Sequence, residues 1–70
     1  MTALSIARPG AKYTIRWNVS RGDCADLMIR LGLTPGATLF LLNSYYGGVI
    51  VCVGGKRIAL DKESAFCIKV

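Results

Sequence analysis

The stretch Leu31-Gly32-Leu33-Thr34-Pro35-Gly36 ends a helix and prepares a strand within six residues, and the rest of the chain is read outward from it. Upstream, Cys24, Leu27, Met28 and Leu31 recur at the i, i+3, i+4, i+7 spacing of an amphipathic helix, and Arg21, Asp26 and Arg30 fall on its wet side. Gly32 stops this helix, because a residue without Cβ can enter the left-handed conformation that closes a helix C-terminus. Leu33 is then expected to fold back on the last turn. Pro35-Gly36 makes the next turn: proline presets the first central φ and glycine accepts the positive φ of a type II turn, after which 38–43 reads as a strand.

Seventy residues form one domain over 1–70, and a chain of this size buries only roughly 60% of the surface it exposes when unfolded. Hydrophobic residues make up 53% and charged residues 19%, which excludes a disordered charged tail. The longest apolar runs, 39–42 and 49–53, fall far short of the about 20 residues a spanning helix needs, so direct membrane insertion is not expected. The opening Met1-Thr2-Ala3-Leu4 shows no basic segment followed by an apolar stretch, and a cytoplasmic location is expected.

Cys24, Cys52 and Cys67 are odd in number, sit singly and fall inside apolar periods, which reads as reduced core thiols. A metal site needs clustered Cys, His or carboxylates. This chain has no histidine, and its acids are only Asp23, Asp26, Asp61 and Glu63, so no metal or other cofactor is expected. The net charge of +5 favours an anionic partner, although the basic residues are spread along the chain and only Lys56-Arg57 are adjacent.

Ala7-Arg8-Pro9-Gly10 is a turn that presents 12–19 as the first strand, with Tyr13, Ile15 and Trp17 on its core face and Lys12, Thr14 and Arg16 outside. Ser20 and Asp23 have the form of a capping box that opens the helix. After the second strand, Ser44-Tyr45-Tyr46-Gly47-Gly48 reads as a hairpin loop whose glycines supply positive φ. Strand 49–53 follows, Gly54-Gly55 makes a tight turn into strand 56–60, Asp61 is an N-cap for one helical turn over 61–65, and 66–70 returns as a short last strand. About five short strands, one α-helix between the first two and a helical turn before the last describe a mostly β fold, a small barrel of the SH3-like type. Strands 38–43 and 49–53 are apolar on both faces, so one face lines the barrel and the other needs cover. The helix is the nearest candidate for it, and any uncovered remainder would mark a partner surface.

Three ordered motifs carry a resemblance over nearly the whole chain: Leu4-Ser5 with Pro9-Gly10, Arg30-Leu31-Gly32-Leu33-Thr34-Pro35-Gly36, and Arg57-Ile58-Ala59-Leu60 followed by Ala65 and Ile68. In these the sequence is similar to the FeoA family, small cytoplasmic components of bacterial ferrous iron uptake. The resemblance implies an SH3-like barrel and a role as accessory to FeoB, the membrane iron transporter with a cytoplasmic GTP-hydrolysing domain. Many family members carry a proline-containing loop before the third strand, where this chain has Asn43-Ser44-Tyr45-Tyr46-Gly47-Gly48. A similar fold and motif occur as the C-terminal domain of metal-dependent repressors, whose DNA-binding and metal-binding domains this chain lacks.

Tyr45 and Tyr46 are candidate partner anchors, since tyrosine buries a large ring at low entropy cost, and the alternative is packing over a barrel end. Lys56 and Arg57 can meet an acidic partner surface, although edge-strand charge that prevents unwanted pairing is the favoured reading. Trp17 can stack a base, but its alternation with Tyr13 and Ile15 places it in the core. Without histidine, paired acids or a complete phosphate-binding loop, no catalytic set can be assembled, and an enzyme is not expected. The expected role is therefore a non-catalytic module that binds and modulates a FeoB-type transporter. A nucleic-acid-binding barrel and a self-associating structural module are the alternatives.

Overall fold

The computed structural model describes all 70 residues. A 3₁₀ turn at Leu4–Ile6 is followed by strands β1 (Ala11–Thr14) and β2 (Trp17–Asn18), helix α1 (Gly22–Arg30), strands β3 (Thr38–Tyr45), β4 (Gly48–Val53) and β5 (Lys56–Asp61), helix α2 (Lys62–Cys67) and strand β6 (Ile68–Lys69). A four-stranded antiparallel sheet has the order β1-β3-β4-β5, and β2 pairs with β6 in a second, two-stranded sheet. The chain runs from one sheet to the other through β1 and β2, and α2 bridges the seam between β5 and β6 to complete a small SH3-like barrel.

The barrel is filled by alternation. Leu39 and Leu41 of β3 and Val49 and Val51 of β4 point inward and are at most 1% exposed, joined by Leu4, Ile15, Leu33 and Ile68. Fully burying an aliphatic side chain of this kind contributes about 1.5–3 kcal/mol. The segment 31–36 behaves as its residue types require. Gly32 lies at φ +80, its N–H donates to the Ile29 carbonyl, and the Leu33 N–H donates to that of Met28, the paired bonds of a Schellman closure. Leu33 is fully buried as a result. At the following turn Gly36 lies at φ +94 and the Ala37 N–H donates to the Thr34 carbonyl.

The expected first strand over 12–19 is two strands. The Ile15 N–H donates to the Ala37 carbonyl, whereas that of Arg16 donates to Lys69, so the chain changes sheets between them and its side-chain alternation restarts. Trp17, expected in the core, consequently pairs with Lys69 and is 57% exposed, while Asn18 turns inward and its Nδ2 donates to the Leu33 carbonyl at 2.9 Å. The capping box does not form. The Ser20 hydroxyl and N–H both donate to Asn18 Oδ1, at 2.6 and 3.0 Å, and Gly22 at φ +62 moves the helix start beyond the reach of Ser20.

Helix α1 contributes a narrower stripe than its sequence spacing implies. Met28 is buried, Cys24 and Leu31 are half-buried against the core, and Leu27 is 51% exposed. The three cysteines are half-buried free thiols, at the margin of the core and not within it. The second expected strand, 38–43, continues to Tyr45, with a bulge between Leu41 and Asn43 that leaves Leu42 without a cross-strand partner. In the hairpin that follows, neither Gly47 nor Gly48 has positive φ, contrary to expectation; Gly48 is needed for space, since a Cβ there would stand 2.0 Å from the Leu60 carbonyl oxygen. Gly54 and Gly55 do both have positive φ, at +57 and +77.

Asp61 caps α2 as expected, accepting from the Ser64 N–H at 2.7 Å. The helix then runs past 65 and takes in Phe66 and Cys67, leaving β6 shorter than the expected 66–70. Two contacts favour the longer helix: Ala65 is fully buried, and Lys69 Nζ donates to the Phe66 carbonyl at the helix end, its ammonium 3.8 Å from the Phe66 ring centroid.

Candidate functional site

The outer face of the four-stranded sheet follows from its register. Lys12 pairs with Phe40, Phe40 with Cys52, and Cys52 with Arg57, so four strands place one residue each in a single transverse row. Each belongs to the outward parity of its strand, opposite the buried Leu39, Leu41 and Val51. With neighbouring strands about 4.8 Å apart, the row spans about 14 Å. An aromatic ring and a thiol occupy its centre and a cation stands at each margin.

Further along the strands the face continues through Ile50, opposite Asn43 and Ala59, to Tyr45, opposite Gly48. Phe40, Ile50 and Cys52 are half-buried but stand apart from the core cluster, and Leu42 is 38% exposed at the bulge. α1, the cover expected from sequence, directs Cys24, Met28 and Leu31 into the inner core instead and leaves this face open. The outer apolar residues are therefore flanked by their cross-strand neighbours, with Lys12 and Arg57 at the ends of the row.

The four residues singled out from sequence do not form one cluster. Tyr45, 49% exposed, and Arg57 share the outer face but sit at opposite ends of it. Their pairing positions, Gly48 and Cys52, are four steps apart on β4, about 13 Å along the strand. Tyr46, 96% exposed, is the hairpin tip and covers no barrel end; Lys62 Nζ lies 5.8 Å from its ring centroid. Lys56 pairs with inward-facing Val53, on the opposite parity from Arg57. Gly32, Leu33, Pro35 and Gly36 lie between α1 and β3, where they set the chain path.

Sequence reasoning missed Lys12, Phe40 and Cys52 as companions of Arg57. The available signal was the two-faced apolar character of 38–43 and 49–53, which marks an outer patch without telling which residues align across it.

A cleft of about 330 Å³ beside α1 and α2 brings Cys24, Cys67, Asp61 and Glu63 to one wall system, yet no three Cys, Asp or Glu side chains converge closely enough to hold a metal ion. Asp61 is occupied otherwise. Hydrogen bonds from the Ser64 hydroxyl and then the Ser64 N–H stabilise its ionised form and hold its carboxyl below the usual value of 3.8. No helix is long and apolar enough to cross a membrane.

Comparison with known proteins gives a consistent result. The profile of the FeoA domain matches residues 2–70. The crystal structure of an iron uptake regulatory protein (FeoA) superposes with a TM-score of 0.86 at 34% identity, covering 96% of this chain and 91% of that one. The solution structure of iron(II) transport protein A from Clostridium thermocellum shares the fold at a TM-score of 0.87 and 21% identity, over 97% of this chain and 43% of that one. A manganese-dependent transcriptional repressor shares it at 0.82 and 18% identity, over 96% of this chain and 39% of its own. No curated protein sequence matches.

Proposed function

This chain belongs to the FeoA domain family, and from that membership we propose that it acts in ferrous iron uptake as a non-catalytic cytoplasmic accessory that binds a FeoB-type transporter and modulates its assembly or nucleotide cycle. The observation that carries the reading is the family match across residues 2–70, joined to a 34% identical FeoA structure of nearly the same length. The open outer sheet face supports it, because an accessory protein needs a surface left free by its own folding. Modulation requires different affinity for two states of the transporter; equal binding to both shifts no equilibrium, however tight it is.

The test is retention of the purified chain on the immobilised cytoplasmic region of the transporter, loaded with GDP or with a non-hydrolysable GTP analogue. We expect retention that differs between the two nucleotide states. Absence of retention at both low and moderate salt overturns the reading. In parallel, a gel shift with single-stranded and duplex nucleic acid and light scattering across concentration address the two alternatives, nucleic-acid binding and self-association.

A further inference from the structure

We propose that the outer face of the β1-β3-β4-β5 sheet is a docking site for an acidic amphipathic helix, laid along the strands with its apolar stripe on Phe40, Cys52 and Ile50 and its carboxylates against Lys12 and Arg57. The inference deepens the accessory-protein reading by naming the surface and the chemistry of the partner segment, and it rests on that reading. Three observations identify the occupant.

The first is width. Lys12 and Arg57 close the two ends of one cross-strand row about 14 Å long, and a helix with its side chains is about 10–12 Å across, so a helix running along β3 and β4 fits between the two cations. The second is length. The outer strip from Phe40 and Cys52 through Ile50 to Tyr45, interrupted on β3 by the exposed Asn43, runs about 13 Å, which about nine helical residues cover at 1.5 Å each.

The third is charge. Asp23 and Asp26 lie on α1 and Glu63 on α2, so none of them belongs to a strand of this sheet. The one carboxylate at its outward parity, Asp61, stands at the far end of β5 and is engaged by Ser64. Cations at both margins with no adjacent acid select a segment with carboxylates on both sides of an apolar stripe, and desolvating the ring and the thiol supplies the anchor. The same pattern disfavours a second copy packed face to face, since a two-fold arrangement would bring the cationic margins of the two copies together.

The probe is a fluorescent synthetic peptide of about 16 residues, long enough to be helical, with leucines at i, i+3, i+4 and i+7 flanked by glutamates. Its controls carry glutamine for every glutamate, or the same residues in scrambled order. By anisotropy we expect saturable binding that both controls lose. Lys12→Glu with Arg57→Glu in one chain, and Phe40→Ser in another, should each weaken it about tenfold or more.

Amide chemical-shift changes should concentrate on β3 and β4, and unchanged thermal midpoints will show that the variants fold. The docking site is overturned by absent binding, by binding indifferent to the variants, by an oligothymidylate that binds through the same residues as strongly, or by self-association that they abolish. Running the same variants against the transporter's cytoplasmic region separates the two levels. Transporter binding that ignores the variants removes this surface and leaves the accessory reading standing, whereas peptide binding without any transporter binding does the reverse.

Discussion

The two hairpins of the main sheet each contain a Gly-Gly pair, at 47–48 and at 54–55, and the pairs meet different demands. At 54–55 both residues have positive φ and open space around them, so glycine is there for its backbone freedom, as a tight two-residue turn requires. At 47–48 neither φ is positive. Gly48 is buried opposite Asp61, and an added Cβ would stand 2.0 Å from the Leu60 carbonyl oxygen, so glycine is there for its missing side chain. One dipeptide thus answers to a torsional constraint in one hairpin and to a packing constraint in the other. Only the first is local.

Substitutions can sharpen or break this contrast. Gly48→Ala should have the largest effect. The clash is with backbone, which cannot rotate away, and a loss of about 3 kcal/mol or failure to fold is expected by chemical denaturation. Gly55→Ala places a Cβ in the left-handed region without any clash and should cost about 1–2 kcal/mol, so equal losses at positions 48 and 55 would erase the distinction.

Asp61→Ala tests the helix that the first hairpin adjoins through the Lys62 N–H bond to the Gly47 carbonyl. The folded carboxyl titrates below its usual 3.8, so its contribution is present above that value and disappears as pH falls through the lower folded value. The variant should therefore melt below the parent at neutral pH and converge with it in acid, while Asp61→Asn retains a cap and loses this pH dependence. Gly47→Ala should have the smallest effect. It meets only the Tyr45 ring, at 3.4 Å, and its thermal midpoint should correspond to a change within about 0.5 kcal/mol.

The same division between local and distant causes runs through the candidate site. Arg57 was visible in the sequence as part of a basic pair, but Lys56 beside it stands on the opposite parity of β5, and the residues that share a row with Arg57 come from three other strands. Tyr45 and Tyr46 are adjacent in sequence, yet one pairs with Gly48 at the end of the outer face and the other projects from the tip. Trp17 shows the limit of alternation as a guide. Period-2 reasoning holds for Tyr13 and Ile15 and fails two residues later, because the chain changes partners from β3 to β6 and its inward and outward sides are reset.

The residues alone determined the punctuation: the stop at Gly32, the turns at Pro35-Gly36 and Gly54-Gly55, and the cap at Asp61. Each of these depends on a torsion angle or a hydrogen bond within a few positions, so the chain carries them wherever it goes. Folding in three dimensions decided where the first strand breaks, which side of α1 meets the core, and that Lys12, Phe40, Cys52 and Arg57 fall into line. That alignment is the sum of three strand pairings. A slip of one residue in any of them would send a side chain to the other face, and register of this kind is set by the packing of the whole barrel.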